Sequence, residues 1–382
     1  MKILIVGPAH PLRGGIVQFQ ALLYGALKAR GHDVVYHRFI RQYPKFLFPG
    51  RTQLDESGSP LKVDSTPSLD PLNPFNWPFA AMRIARERPD LVILQWWMPF
   101  FGPSYIVTLW LARLFTKARV MYVVHNAVPH ERRPGDMLIT RAGFALADCF
   151  IVMSETVKKD LLGIKPSARY AHTPHPLYDV YGGPKDKGEA KRALGLPPEE
   201  PVLLFFGFVR AYKGLDVLLD AMPGLLRKLD ATLIVAGEFY EDKARYEGKI
   251  KALDLGGRVM VHDKYIPNEA VAGYFSAADL LVIPYLTATQ SGIIQIAHAF
   301  DLPVVATEVG GLPEMVKDGA TGYLVPPGDP GALAAAIARY FGEGKAGEFR
   351  ENIKKEKSRF SWGALAEAVE GLAKQGAGGG GQ

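Results

Sequence analysis

Residues 280–316 read LLVIPYLTATQSGIIQIAHAFDLPVVATEVGGLPEMV, and this stretch decides the fold. It holds two short apolar runs, LLVIP and PVVAT, on either side of a small polar loop and a longer segment. Apolar runs of about 4–8 residues bounded by turn residues are typical of buried strands, and the longer segment between them has the length of a helix. A strand, a helix and a second strand in this order predict a parallel βαβ unit.

The same alternation extends over the rest of the chain. Between most of the apolar runs lie segments of helical spacing, which indicates two α/β domains with parallel sheets. The runs are KILIVG, DVVYHRF, DLVILQ, RVMYVVH, CFIVM and RYAHT in the first half, and PVLLFFG, ATLIVAG, RVMVHD, LLVIP and PVVAT in the second.

The domain boundaries follow from composition. Residues 1–175 form the first predicted domain. A linker rich in Pro, Gly and Lys follows at 176–198, and the second domain covers 199–355. Residues 356–374 predict a C-terminal helix, and the glycine-rich tail 375–382 is expected to be disordered. The segment 38–83, rich in proline and aromatic residues, interrupts the alternation and is typical of a functional loop.

The composition indicates a globular protein of a reducing compartment. The 382 residues are 48% hydrophobic and 22% charged. The single cysteine, Cys149, lies in an apolar run and is predicted to be buried; with one cysteine, no intrachain disulfide can form. The N-terminus lacks the long apolar stretch of a secretion signal, so we expect a cytoplasmic protein. Residues 91–112 carry no charge, but prolines and a glycine in their middle favour a strand, a loop and a helix over a membrane span.

Charge is distributed unevenly along the chain. Residues 1–175 contain 22 Lys and Arg against 12 Asp and Glu, a net +10, whereas the remainder is −4. A basic half suggests an anionic partner or peripheral contact with an anionic membrane, although a solvated basic face would give the same numbers. No nucleic-acid-binding motif accompanies the charge, so we expect no nucleic-acid partner.

Two loops that follow predicted strands are candidate anion-binding sites, one through its glycines and one through its basic side chains. Gly14 and Gly15, in GPAHPLRGGI, allow close approach of an anion to the start of a helix, but the G-x-G-x-x-G spacing is missing and a plain tight turn remains an alternative. Arg210 and Lys213, in FFGFVRAYKGLDVLLDA, follow the strand PVLLFFG at the edge where open α/β sheets bind ligands. Two cations beside a helix start suit a diphosphate.

Two further loops complete the candidate set. In the polar loop that follows the run LLVIP, the backbone N–H groups of Ser291, Gly292 and Ile293 can bind phosphate oxygens. In YVVHNAVPHE, His125 and Asn126 end a strand and His130 follows. His125 is either a histidine bonded to backbone at the edge of the core or a substrate contact, and no H-E-x-x-H metal motif is present.

With these motifs in order, the chain resembles the retaining glycosyltransferases of family four (group 1), over residues 1–370. The resemblance implies the GT-B fold, an α/β fold of two Rossmann-like doubly wound domains facing across a cleft, with the C-terminal helix crossing back to the first domain. It implies a hexosyl transfer from a UDP- or GDP-sugar to a hydroxyl acceptor, a glycan or a lipid-linked molecule, with retention and without a metal ion or other cofactor.

The resemblance also implies roles for the candidate residues. His125, Arg210 and Lys213 would be catalytic, with the two cations stabilising the leaving diphosphate. Asn126 and His130 would lie on the acceptor or sugar side. The donor would contact Gly14, Gly15, Tyr265, Ile266, Thr289, Gln290, Ser291, Gly292 and Ile293.

One departure from the family pattern concerns two glutamates. Most members carry them eight positions apart, where this chain has Ala288 and Ile296. Neither side chain can accept a hydrogen bond from a sugar hydroxyl, and Thr289, Gln290 and Gln295 are the nearest polar substitutes. A nucleotide-sugar-binding protein without efficient transfer is therefore an alternative, as is a GT-B epimerase or phosphorylase.

Overall fold

The computed structural model describes residues 1–44, 48, 50–129 and 133–375. Within them the chain divides into two compact units. The first unit comprises residues 1–55, 60–175 and the segment from 361 onward, and the second comprises 56–59 and 176–360.

The first unit is built on a seven-stranded parallel sheet in the order β3-β2-β1-β4-β5-β6-β7. Its central strands are almost wholly apolar because both faces are covered, as expected for a parallel sheet. The strands are β1 (Lys2–Gly7), β2 (Asp33–Phe39), β3 (Thr66–Leu69), β4 (Leu91–Trp96), β5 (Arg119–Val124), β6 (Cys149–Val152) and β7 (Tyr170–His172).

Helices cover both faces of this sheet. One core contains Trp96, Tyr105 and Phe144, and the other contains Phe19 together with Leu365 and Val369 of the last helix. That last helix packs against α1, β6 and β7. The helices are α1 (Gly15–Ala29), α2 (Trp77–Glu87), α3 (Gly102–Ala112), α4 (Asp136–Ala145), α5 (Glu155–Ile164) and α14 (Trp362–Lys374).

The second unit contains a six-stranded parallel sheet in the order β10-β9-β8-β11-β12-β13. The strands are β8 (Val202–Phe206), β9 (Thr232–Ala236), β10 (Val259–His262), β11 (Leu280–Ile283), β12 (Val304–Thr307) and β13 (Gly322–Val325). The helices are α6 (Lys187–Ala193), α7 (Leu215–Leu226), α8 (Lys243–Ala252), α9 (Asn268–Ala277), α10 (Gly292–Ala299), α11 (Leu312–Met315), α12 (Pro330–Gly342) and α13 (Ala346–Glu356).

Residues 56–59 are a short excursion from the first half of the sequence into the second unit. The Gly58 N–H donates to Oε1 of Glu269 at 2.9 Å, and the Asn268 N–H donates to Oγ of Ser57 at 3.1 Å. In each bond one partner lies in residues 56–59 and the other lies at the start of α9. This short segment therefore caps a helix of the second unit.

Each sheet reverses its strand order beside its first strand. In the first unit β1 lies between β2 and β4, and in the second unit β8 lies between β9 and β11. Open α/β sheets bind ligands outside the carboxyl ends of the strands at such a point. The prediction of two Rossmann-like α/β domains is confirmed, and the point of reversal marks where to look for a site in each.

Two stretches of the first unit bear on the sequence interpretation. Residues 91–112 form β4, a 3₁₀ turn at Pro99–Phe101 and α3, as predicted. Among the described residues, no helix has the combination of length and hydrophobicity that a bilayer crossing requires. The irregular segment 38–83, by contrast, also contains the edge strand β3 and the start of α2, which the pattern did not indicate.

Candidate functional site

Two glycine turns set the geometry at the carboxyl edge of the second sheet. Gly207 follows β8 with φ +98°, and Gly237 follows β9 with φ +152°. A Cβ added to Gly237 would lie 2.0 Å from the carbonyl oxygen of Gly207, so the two turns pack backbone against backbone. Only glycine can occupy such positions without displacing the chain.

Lys213 lies directly over the first of these turns. A Cβ built on Gly207 would be 3.2 Å from Nζ of Lys213 and 3.4 Å from Cδ1 of Ile293. The side chain is buried, with 8% of the residue exposed, and Nζ lies 5.6 Å from the ring centroid of Tyr285. Burial, and after it the charge of Arg210, lower the pKa of Lys213 to about 8.

Arg210 immediately precedes the 3₁₀ turn Ala211–Lys213. Its guanidinium lies 5.4 Å from the ring centroid of Tyr240, which itself stacks on Phe208 at 4.4 Å. Within the described part of the chain, neither Arg210 nor Lys213 forms an ion pair with a carboxylate. Two cations that repel each other and lack an acidic partner form a site that an anion would stabilise.

The loop between β11 and α10 is held in place by a third glycine. Gly310 has φ +52°, and a Cβ there would meet the carbonyl oxygen of Ala288 at 1.6 Å. The Gly311 N–H donates to the carbonyl of Thr289 at 3.2 Å. Ser291 is the N-cap of α10, which begins at Gly292, so the first N–H groups of this helix open at the same sheet edge.

The structure thus places some of the candidate donor-binding residues close together. The others lie further along the same edge of the sheet. Lys213 and Ile293 meet over Gly207, and Thr289, Ser291 and Gly292 belong to the adjoining loop. Gln290 in that loop is partly exposed. Tyr265 and Ile266 follow β10, two strands away from β8 at the same edge; Ile266 is buried and Tyr265 half-buried.

The two positions that depart from the family pattern are both buried. Ala288 is 8% and Ile296 4% exposed, and they present only apolar atoms. Gln295, one of the polar substitutes considered, is fully buried, and its side-chain oxygen and nitrogen make no hydrogen bond among the described residues. It therefore faces the interior. Of the other two substitutes, Thr289 is 7% exposed, and Gln290 is partly exposed.

In the first unit, His125 is anchored by a neighbouring strand. It follows β5, and its backbone N–H donates to the carbonyl of Trp96 at 2.8 Å. Its Nε2 lies 2.7 Å from Oε1 of Gln95, and the Phe19 ring meets the imidazole edge-on at 4.8 Å. Burial, and after it the charge of His175, lower the pKa of His125 to about 3, so the ring is neutral at neutral pH.

The orientation of the Gln95 amide sets the form of the imidazole. With the amide oxygen toward the ring, Oε1 can only accept, so in this orientation Nε2 of His125 carries the proton and donates a hydrogen bond to Gln95. Nδ1 is then the unprotonated nitrogen of the ring. Neither Gln95 nor this tautomer was anticipated from the sequence; the one available signal was a glutamine after the apolar residues LVIL.

The remaining candidates of the first unit lie at the same sheet edge. Gly14 has φ +123° and is the N-cap of α1, which begins at Gly15; a Cβ at either position would meet nothing within 4 Å. The Nδ2 group of Asn126 donates to the carbonyl of Trp97 at 3.4 Å. His130 lies outside the described residues.

Sequence reasoning also missed two aromatic residues beside the cations and a buried glutamate at the end of the neighbouring strand. Tyr285 and Tyr240 flank Lys213 and Arg210 respectively, and Glu238, only 2% exposed, follows β9. Glu238 follows the strand ATLIVAG within VAGEFYEDK, so its position at a strand end was the available signal. Among the described residues there is no group of three or more His, Cys, Asp or Glu arranged to hold a metal ion.

Two parallel doubly wound sheets, the second with two cations and glycine turns at its carboxyl edge, define a class of α/β proteins that bind ligands at that edge. Residues 200–343 match the family model described as glycosyl transferases group 1, and residues 14–175 match the glycosyl transferase 4-like domain. The chain belongs to this glycosyltransferase family.

Individual relatives agree with this assignment. The chain is 26% identical to a D-inositol 3-phosphate glycosyltransferase of Acidothermus cellulolyticus over 94% of this chain and 85% of the relative. Among solved structures, it is similar to sucrose-phosphate synthase of Thermosynechococcus elongatus with a TM-score of 0.73 at 23% identity, covering 98% of this chain and 99% of that one. It is also similar to Anabaena HepE in complex with UDP, with a TM-score of 0.74 at 18% identity over 98% and 100% of the two chains.

Proposed function

We propose that the protein transfers a hexosyl group from a UDP- or GDP-sugar to a hydroxyl acceptor, with retention of the anomeric configuration. The observation that carries the proposal is the buried ammonium of Lys213, with its pKa lowered to about 8, beside Arg210 and over a glycine turn. A nucleotide diphosphate supplies the negative charge that this pair lacks. The complex of HepE with UDP lends support to the ligand class.

In the proposed reaction, the bond between the anomeric carbon and the donor phosphate oxygen breaks while the acceptor oxygen bonds to the same face of that carbon. The acceptor proton passes to an oxygen of the departing diphosphate, so no side chain serves as nucleophile. Arg210 and Lys213 would neutralise the charge that develops on the leaving group, in the role that a metal ion has in other transferases.

The other candidates would position the donor and the acceptor. The N–H groups of Ser291, Gly292 and Ile293 would bind the diphosphate, with Thr289 and Gln290 toward the sugar or ribose, and Tyr265 and Ile266 beside the base. In the first unit, the donor would contact Gly14 and Gly15. The acceptor or the transferred sugar would contact His125, Asn126 and His130. A neutral His125 with Nδ1 unprotonated would accept a hydrogen bond from a hydroxyl group.

A double substitution tests the role of the cations. We expect Arg210→Ala with Lys213→Ala to weaken UDP binding by about 3–6 kcal/mol, since each charge-assisted hydrogen bond contributes about 1.5–3 kcal/mol. The measurement is calorimetric titration with UDP, GDP and ADP in turn. Arg227→Ala with Lys228→Ala is the matched control, because these two exposed cations follow α7 at the far end of the same helix. Equal UDP affinity in the double variant and the control would refute the proposed donor site.

A second candidate function is donor binding without efficient transfer. It is favoured by Ala288 and Ile296, which put apolar atoms where most family members carry glutamates. Because several relatives are named D-inositol 3-phosphate glycosyltransferases, D-inositol 3-phosphate is a suitable first acceptor to offer with each donor. Donor binding with no product across an acceptor panel would favour the second candidate, and turnover of donor with no acceptor present would favour an epimerase or phosphorylase.

We also propose that the protein works at the cytoplasmic face of a membrane, as a peripheral protein with a lipid-linked or glycan acceptor. The net +10 of residues 1–175 supports this location, because anionic lipids attract basic surfaces.

A further inference from the structure

The outer surface of α3 carries large apolar side chains. The inner side of this helix packs into the core through Tyr105 and Leu109. On the outside, Trp110 is 57% exposed, and just beyond the helix Leu114 and Phe115 are 63% and 68% exposed. A helix that covers a sheet normally presents a polar outer face, so these side chains are unusual in contact with water.

The neighbouring helix has the same character. Phe75, just before α2, is 84% exposed, and Phe79 and Met82 on α2 are 58% and 41% exposed. Phe79 and Met82 are three residues apart on α2 and lie on one face of it, and α2 packs alongside α3. Apolar surface spread over adjacent helices in this way is typical of an interaction site rather than of scattered exposed residues.

A basic cavity lies beside the end of this apolar surface. It has a volume of about 380 Å³ and is found at the amino ends of β5, β6 and β7, the edge of this sheet opposite Gly14 and His125. Four of its lining residues are cations and one is a carboxylate: Arg113, Lys117, Arg119, Arg169 and Asp148.

The charges in this cavity are only partly compensated. Asp148 accepts hydrogen bonds from Arg113 at 3.0 Å and from the Val120 N–H at 2.8 Å, so its charge is already engaged. Arg119 and Arg169 donate to backbone carbonyls at the end of α14. Lys117 is exposed and forms no ion pair or hydrogen bond among the described residues. The cavity therefore keeps an excess of positive charge.

Building on the membrane location proposed above, we propose that the cavity binds the phosphate of an anionic lipid headgroup while Trp110, Leu114 and Phe115 enter the adjoining layer of the bilayer. Arginine forks match phosphate oxygens, and exposed tryptophan and leucine beside cations are typical of surfaces that lie in a membrane interface. A second copy of the chain would bring the same positive charge to the contact, which disfavours a dimer there. A free phosphate would leave the apolar side chains in water.

Vesicle flotation tests the proposal on the full chain. We expect binding to phosphatidylcholine vesicles that contain phosphatidylglycerol, weak binding to phosphatidylcholine alone, and loss of binding at high salt. Each cation near an anionic surface strengthens binding roughly fivefold, so Lys117→Glu should weaken it roughly 30-fold. Lys251→Glu, which makes the same charge change on α8 of the second unit, is the matched control and should leave binding nearly unchanged. Trp110→Ser with Leu114→Ser should reduce binding through lost insertion.

Several results would overturn the proposal. They are equal flotation on both vesicle types, equal effects of Lys117→Glu and Lys251→Glu, or binding of inorganic phosphate without binding of vesicles. A dimer that Trp110→Ser dissociates would identify a second copy as the occupant instead. UDP binding, measured in parallel, shows that each variant is folded, and it separates a failure of this site from a failure of the proposed donor site.

Discussion

Lys213 combines a buried position with a charge that nothing nearby neutralises. The ammonium is 8% exposed at the residue level, lies over Gly207 and is flanked by the Tyr285 ring. Burying an ammonium without an anionic partner costs free energy, and the lowered pKa is the expression of that cost. A bound diphosphate would offset this cost. Neutralising the buried Lys213 ammonium would therefore contribute to the binding free energy of the proposed ligand.

The lowered pKa of Lys213 predicts a pH dependence of UDP affinity. Below a pH of about 8 the ammonium is already charged, so affinity should be flat; above it the free protein must take up a proton to bind UDP. Affinity should then fall about tenfold per pH unit until the pKa of the complex is reached. Calorimetry between pH 6 and 10 measures this, and Lys213→Arg, whose charge persists, should remove the dependence. An unchanged affinity in the wild-type protein across this range would contradict the interpretation.

At the residue scale, the sequence indicated which side chains could bind a ligand, but not which side chains they contact in the folded protein. Arg210 and Lys213 could be singled out because they follow a predicted strand and precede a helix. The pair of Gln95 and His125 could not, since the two residues become neighbours only when β4 and β5 align in the sheet. A pattern along one chain does not report which strand ends lie side by side.

At the scale of elements, glycine turns define the edge of the second sheet. The loop of Thr289 and Ser291 is fitted against Gly310, whose positive φ and missing Cβ allow the chain to pass the carbonyl of Ala288. The shape of the loop therefore depends on a residue outside it.

Gly310→Ala should disrupt this loop. A Cβ would lie 1.6 Å from a backbone oxygen, so the loop must move, and we expect a loss of several kcal/mol in stability together with weaker UDP binding. Gly319→Ala is the matched control, because Gly319 also has a positive φ, +70°, but open space around its Cβ direction; it should cost about 1 kcal/mol and leave UDP affinity intact. Chemical denaturation and calorimetry of both variants provide the comparison. Similar behaviour of the two would show that the loop tolerates displacement.

The elements themselves were largely predictable, with one instructive exception. Apolar runs identified the central strands of both sheets because parallel strands are covered on both faces. The exception is β3, a four-residue edge strand containing Pro67 whose first two residues are exposed. Such a strand lacks the apolar run that marks its neighbours, and its pairing with β2 comes from tertiary structure.

At the scale of the whole molecule, the first unit is completed by the last helix. Leu365, Ala366 and Val369 of α14 are fully buried in the core that also contains Ile3 and Phe19. On the same helix, the carboxylate of Glu370 accepts hydrogen bonds from Arg30 and His32, and these bonds, those from Arg30 foremost, lower the pKa of that carboxyl to about 2. The sequence indicated a helix here, but its partners could be proposed only from the family resemblance.

Leu365→Ala should loosen the first unit selectively. Truncating a fully buried leucine costs about 2–5 kcal/mol. We expect faster hydrogen exchange at backbone amides of β1 and β6, with β8 and β11 unchanged. Leu218→Ala, at a fully buried position in the core of the second unit, should give the reverse pattern. Equal acceleration in both sheets after either substitution would show that the two units open together.

The return of the chain into the first unit has a consequence for biosynthesis. A ribosome that has made residues 1–175 has supplied every strand of the seven-stranded sheet but not the helix that covers Ile3 and Phe19. Because translation runs from the N-terminus, residues 176–360 emerge in full before Trp362–Lys374 do. The first unit is therefore synthesised first but completed last. Until the last helix emerges, its uncovered apolar surface would be available for a chaperone to bind on the nascent chain.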